Sequence, residues 1–457
     1  MDLIVVGGGT AGYTAALILK EKYREKINII VIRSKQIGII GVGEGSTEHW
    51  DDFLKFVNID HSLMLKECGA TYKFGIMFEG WGQKQYLHSV DSDFHMYRGQ
   101  EHLVYLKLIL DNKKLNHDCL YENKMPSDLM PNQYHFDTHK LNIFLEKTCE
   151  TRGIKIIDDI IEDVKTNSKG ISFIKSKTKK YQADFYIDCT GFKRLLISKL
   201  GAKWKSYSKY LKVNSAITFQ TPEEDNYNAW TLAKAMDFGW RFKIPVQVKK
   251  ELEKELGHKI KVGKHIKFDP GRLDKTWIKN CVAIGLSSNF VEPLEATSIG
   301  TSIQQTYLLM HNLHNPSATI KKQYNNQVVN IMDNIRDFIY LHYLAWKKNN
   351  SFWKNFTKLK APLSLKKILN LWESRLPIDD DMQDSDYKLF WSKNFIQVLY
   401  GIGFFKTYKK GLIEQYNFVP EFVKNMIDNH IDNNVKNKHN KSQLKTHKEW
   451  IDEKIQL

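Results

Sequence analysis

The chain opens on a strand-like run, Asp2-Leu3-Ile4-Val5-Val6, that ends in Gly7-Gly8-Gly9-Thr10-Ala11-Gly12 and passes at once into a helical pattern through Ala15, Ala16, Leu17 and Leu19. A second apolar run, Ile27 to Ile32, follows that helix. This β-α-β order implies two parallel strands joined by a right-handed crossover. It also gives Gly7-x-Gly9-x-x-Gly12 the context that lends the spacing meaning, a strand before it and a helix after it. Gly7 allows a tight turn, Gly9 lets backbone approach a pyrophosphate, and Gly12 permits close helix-to-strand packing. Thr10 and Ala11 open the helix, whose N-terminus carries partial positive charge toward the phosphates. The alternative is a glycine turn without a ligand, but strand, spacing and helix together point to a dinucleotide.

An acidic residue ordinarily ends the second strand of such a unit and accepts hydrogen bonds from the adenosine ribose. Here Ile29-Ile30-Val31-Ile32 runs into Arg33. That departure admits a bound 2′-phosphate, but the reading adopted is a looser adenosine half, with Arg33 near the diphosphate or adenine. A second glycine-dense loop, Gly41-Val42-Gly43-Glu44-Gly45-Ser46, places further backbone where it can lie against the cofactor, with Val42, Gly43 and Glu44 as contacts.

At 457 residues the chain exceeds the roughly 250 to 300 residues that one hydrophobic core usually organises, so two structural units are expected. Ile154 to Ile157, Ile171 to Ile174 and Phe185 to Cys189 read as further strands, and there the nucleotide domain resumes. This predicts a first domain over 1–300 with a substrate-side insertion at about 45–150. Past Ser298 the periodicity becomes helical, through Ile303, Tyr307 and Leu308 and then Ile335, Phe338 and Ile339. Residues 301–457 are therefore expected to form a mainly helical cap. The polar tail from Asn429 to His447 is expected to be loosely ordered.

A net charge of +16 raises nucleic acid as a partner, because clustered cations neutralise phosphates. Only nine of the 68 basic residues are arginines, and the lysines are scattered along the chain without forming one stripe. That pattern is a solvated surface, and no nucleic acid is expected. No apolar run approaches the 18 or so residues that span a bilayer, so no membrane is expected. Five widely spaced cysteines with no CxxC pair suggest a reducing compartment, and no secretory signal follows Met1, which makes cytoplasm the expected location.

Read together, Gly7 to Gly12, Gly41 to Ser46, and Ala70-Thr71-Tyr72-Lys73-Phe74-Gly75-Ile76 with Phe78 and Trp81 resemble the flavin-dependent tryptophan halogenase family. Further matches follow in order: Tyr134-His135-Phe136-Asp137, Ile187-Asp188-Cys189-Thr190-Gly191, Gly239-Trp240 to Ile244-Pro245, Phe290 to Ile299, and Arg336-Asp337-Phe338 to His342-Tyr343. The resemblance runs from about residue 2 to 350 and more thinly beyond.

It implies an α/β, FAD-binding Rossmann-like fold of the glutathione-reductase type, as in flavin monooxygenases, with a mainly helical C-terminal region. It also implies FADH2, O2 and halide (chloride, bromide or iodide) as reactants, giving hypohalous acid that passes inside the protein to a lysine beside an electron-rich aromatic substrate. Lys73 matches that lysine, and Glu295 the catalytic glutamate, with Glu292 as the bland neighbour. Gly285 and Leu286 match flavin contacts, and Thr297 and Ser298 the halide site. A separate flavin reductase is the implied partner, and a homo-oligomer is possible.

The chain departs from the family at three places. Ala296 and Ser298 stand where many relatives carry serine and glycine. Phe242 replaces the second tryptophan of the Gly-Trp motif. Charged Lys249 to Lys264 replaces an aromatic and glycine-rich stretch.

Two other readings stay open. An aromatic-ring monooxygenase shares the fold, but it needs no distant lysine, and the Gly-Asp flavin motif of hydroxylases is missing from Gly285-Leu286-Ser287-Ser288. A non-catalytic flavin- or RNA-binding protein would fit the basic charge, but the retained lysine and glutamate motifs count against it.

Overall fold

In the computed structural model, β1 (Asp2–Val6) is an interior strand of a six-stranded sheet. The structure describes residues 1–40, 44–89, 101–125, 132–218, 228–243, 264–344, 351–382, 388–437 and 444–456. α1 (Thr10–Tyr23) leads from β1 to β2 (Asn28–Arg33), and the two strands pair in parallel with Val5 opposite Val31. β3 (Lys155–Asp158) extends the sheet beyond β2, and β4 (Phe185–Asp188) lies on the other side of β1. β5 (Trp277–Ile278) and β6 (Cys281–Ala283) form an antiparallel edge pair, with β6 parallel to β4. The expected crossover unit and the return of the nucleotide domain at about 154 and 185 are both present. Ile171 to Ile174 instead belong to a separate antiparallel sheet of Asp163–Asn167, Gly170–Lys175 and Lys180–Tyr181.

Alternation along the strands decides what each face buries. Ile4, Val6, Ile32, Tyr186, Cys281 and Ala283 pack with Ile171 and Ile174 in one apolar cluster. Leu3 and Val5 turn to the opposite face and are fully buried. α1 is buried continuously from Gly12 to Leu19. A helix apolar all round must have neighbours on every side. Here they are the sheet, α2 (Thr138–Thr151) and α3 (Thr297–Asn312).

The chain divides into two compact units, each assembled from three segments. Residues 1–70, 133–214 and 267–333 make the first, and 71–132, 215–266 and 334–457 the second. This division does not coincide with the expected boundary near residue 300. The change of periodicity at Ser298 marks the start of α3, which packs on α1 and so stays with the parallel sheet. The expected insertion at 45–150 is likewise narrower. Glu44–Gly45 pairs with Tyr134–Phe136, and α2 lies on α1, which leaves only 71–132 outside the first unit.

The second unit holds a four-stranded sheet in the order Gly239–Lys243, Thr231–Met236, Ile76–Glu79, Tyr86–His88. Large buried indoles fill its core, and each N–H finds an acceptor, as burial of a polar atom requires. Trp81 donates to the Ala233 carbonyl at 3.0 Å, Trp353 to that of Met236 at 2.7 Å, and Trp372 to Asp381 at 2.8 Å. From Thr297 onward every described helix or strand is helical, as the periodicity predicts.

The tail differs from expectation, because Asn429 to Asn437 continue the helix Glu421–Asn437. Val423, Ile427 and Ile431 recur every four residues and are buried, so one apolar stripe anchors an otherwise polar sequence. Among the described residues no helix is long and apolar enough to cross a membrane, and no His, Cys, Asp and Glu group could hold a metal ion. All five cysteines are free.

Candidate functional site

The glycine turn after β1 is built by close approach. Gly7 has φ +120°, in the region that disfavours side chains, and a Cβ on Gly12 would sit 1.9 Å from the Gly7 carbonyl oxygen. Gly9 is different, since nothing lies within 4 Å of the position its Cβ would take. That space belongs to a cavity of about 450 Å³ lined by Gly7, Gly9, Thr10, Ala11 and Gly12. α1 has no acidic residue in its first turn and no side-chain cap on Gly9. The N–H groups that open it therefore face the cavity with their partial charge uncompensated by a carboxylate.

Arg33, Glu44, Gly285, Leu286 and Ser298 line the same cavity, so the fold converges residues nearly 300 positions apart. Val42 and Gly43 lie outside the described residues. The loop after β4, Cys189 to Lys193, also lines it, as do Ile37 to Ile40. A glycine-lined cleft with exposed helix N–H groups and room beside Gly9 fits a dinucleotide.

Arg33 is half-enclosed by carboxylates. Its Nη2 and Nε donate to Glu146 of α2 at 2.7 and 3.1 Å, and Nη1 meets Asp158 at the end of β3 at 3.0 Å. Tyr13 of α1 donates its hydroxyl to the same Glu146. The guanidinium holds the Glu146 carboxyl below its usual range, while burial first, and then Glu146, push the Tyr13 phenol up. With two carboxylates already against it, Arg33 is no spare cation for a 2′-phosphate. Desolvation raises the Glu44 carboxyl to about 7.

Asp188 organises the loop after β4, a role the sequence did not reveal although its motif stood out. Fully buried at the end of β4, it accepts from Thr190 N and Oγ1 at 3.0 and 2.7 Å, Ser287 Oγ at 3.1 Å, and Leu196 and Ile197 N at 2.8 and 2.9 Å. It thereby ties the Thr190-Gly191 loop to the turn that carries Gly285 and Leu286. Asp188→Asn would aim an amide N–H at these donors. Its expected cost is about 2–4 kcal/mol of stability, read by denaturant unfolding; an unchanged midpoint would contradict it.

Glu295 closes a short 3-10 turn, Pro293–Glu295, and is 3% exposed; Glu292 is fully buried. Ala296, at φ 53°, then turns the chain into α3, whose first turn holds Thr297 and Ser298 and no acid. Thr297 is buried, whereas Ser298 reaches the cavity. Lys73 belongs to the second unit and is 3% exposed, which excludes a solvated surface lysine. In the Gly-Trp motif, Trp240 is buried, donates to Tyr343 Oη at 3.0 Å and meets Phe242 edge-on at 5.8 Å. Ile244 and Pro245 lie outside the described residues.

A model of the tryptophan halogenase family matches residues 2–252 and 248–416. The chain belongs to the tryptophan halogenase family. It is 30% identical to 7-chloro-L-tryptophan 6-halogenase KtzR of Kutzneria sp. (strain 744), over 82% of this chain and 85% of that protein. The solved structure of Tar14, a tryptophan C-6 flavin-dependent halogenase (chlorinase) from taromycin biosynthesis, is 25% identical with TM-score 0.84, covering all of both chains. A tryptophan halogenase structure from Shewanella frigidimarina superposes with TM-score 0.89 at 23% identity, over 100% of this chain and 98% of that one. This family member is thus a flavin-dependent halogenase on an FAD-binding Rossmann-like fold, as the motifs predict.

Proposed function

We propose that this halogenase binds FAD in the cavity beside Gly9 and passes hypohalous acid through Lys73 and Glu295 to an electron-rich aromatic substrate, indole-like or phenolic. The observation that carries the cofactor reading is the unfilled space at Gly9 beneath the open N-terminus of α1. Thr10 and Ala11 would hold the diphosphate, with Gly7 and Gly12 shaping the turn, and Gly285, Leu286, Glu44, Val42 and Gly43 would line the flavin. Arg33, fixed by Glu146 and Asp158, would border the adenosine end. When bound, reduced flavin would supply two electrons and two protons, so that O2, halide and one further proton yield hypohalous acid and water.

The protein's own groups then act on charge and position. The first-turn N–H groups at Thr297 and Ser298 favour an anion, which suits a halide. The Lys73 ammonium hydrogen-bonds and polarises the oxidant, or its amine carries the halogen, and either keeps a diffusible reagent in place. The Glu295 carboxylate orients the oxidant and stabilises positive charge on the ring, and a base then takes the displaced ring proton. The net transfer turns an aryl C–H and HOX into an aryl C–X and water.

The test supplies the purified protein with FAD, NADH and a separate flavin reductase, and pairs indole, phenol and L-tryptophan with chloride, bromide and iodide. A halogenated arene is expected with at least one pairing, and no turnover without the reductase. Hydroxylated products alone would favour the monooxygenase. Sustained turnover on NADH without the reductase would refute the two-component arrangement.

A further inference from the structure

The helix His447–Gln456 packs against the short strand Thr71–Tyr72, which Lys73 directly follows. The Trp450 ring lies 5.0 Å from that of Tyr72 and 6.2 Å from that of Phe74. Both rings meet one indole, so the two residues that flank Lys73 are held by the same side chain. Tyr72, Lys73 and Phe74 are all buried.

A hydrogen-bond chain joins the same pieces. His447 N donates to the Asn123 carbonyl at 3.3 Å, and Asn123 Oδ1 accepts from Ala229 N at 2.7 Å. The Ala229 carbonyl in turn accepts from Phe74 N at 2.7 Å, and Met125 N donates to the Lys445 carbonyl at 2.9 Å. His447 is fully buried at the start of the helix. Every one of these residues belongs to the second unit.

We infer that the C-terminal helix is a clamp for Lys73, with Trp450 a positioning residue that holds Tyr72 and Phe74 on either side of it in the chain. The inference rests on the proposed role of Lys73 for its catalytic consequence, but not for its structural one. A long flexible side chain delivers an oxidant accurately only if its backbone is fixed, and small misplacements are costly. The indole supplies that fixity by contact area, and the hydrogen-bond chain supplies register.

The test is Trp450→Ala in the full-length protein, with Trp450→Phe as the conservative variant. Hydrogen exchange at residues 71–76 is expected to rise about tenfold in Trp450→Ala, with β1 unchanged and Trp450→Phe close to wild type. Acetic anhydride labelling of Lys73, read by peptide mapping, is expected to rise in parallel. Unchanged exchange and labelling in Trp450→Ala would overturn the clamp. So would an equal rise in β1, which would mean general loosening. With indole, bromide and a supplied reductase, halogenated product per FADH2 consumed is expected to fall about tenfold in Trp450→Ala and to recover in Trp450→Phe. Lys73→Ala separates the two ideas. Full product yield from it would refute the role of Lys73, while the exchange and labelling outcomes would still judge the clamp.

Discussion

Lys73→Ala is expected to lower the yield of halogenated arene at least about a hundredfold while FADH2 is still oxidised by O2 at the wild-type rate. The two readouts separate because the groups proposed to hold the flavin lie in the first unit, whereas Lys73 lies in the second. Truncation removes a positive group and leaves a gap at a buried position, so packing and chemistry must be told apart. Lys73→Met does that, because it keeps most of the length of the side chain and none of its charge. Equal loss in Ala and Met variants, with unchanged thermal unfolding in Met, assigns the effect to the ammonium. A product yield within twofold of wild type in either variant would remove Lys73 from the delivery path.

The second large effect comes from two glycines three residues apart with opposite consequences. Gly12→Ala must push a Cβ against the Gly7 carbonyl at 1.9 Å, and neither backbone can yield without parting α1 from β1. An overpacking cost of about 2–3 kcal/mol or more is expected, lowering the unfolding midpoint and abolishing FAD binding together. Gly9→Ala meets no protein atom within 4 Å, so its unfolding midpoint without FAD is expected to match wild type. Its methyl group instead enters the space assigned to the diphosphate, and FAD affinity is expected to fall about tenfold or more, read by flavin fluorescence titration. If Gly9→Ala bound FAD as well as wild type does, the cofactor would not approach the turn as proposed. A destabilised Gly9→Ala protein would mean that the turn needs glycine for its own sake.

The β1 to β2 crossover was legible because its signal is local: an apolar run, three glycines at fixed spacing and a helix within 33 residues. The helical C-terminal third was legible for the same reason, as one period sustained over many turns. What sequence alone could not supply is how distant segments share a sheet. α3 reads as the start of a new domain because its periodicity differs from the strands before it, yet packing on α1 assigns it to the first unit. Asp188 was invisible as an organiser, since its five donors come from four residues up to 99 positions away. Arg33 marked a departure without an explanation. The explanation sits on α2 and β3, where Glu146 and Asp158 return the negative charge missing from the end of β2.

The division of each unit into three segments bears on how this enzyme can be made and altered. The chain passes between the units at residues 70, 132, 214, 266 and 333, so no single cut releases either one as a continuous polypeptide. During synthesis the sheet lacks β6 and α3 until about residue 312 has emerged, and the second unit waits for its terminal helix. Such long-range closure is slow and exposes apolar strand edges meanwhile, which makes co-expressed chaperones and reduced growth temperature sensible for production. Chimeras with a relative would have to exchange three matched segments at once.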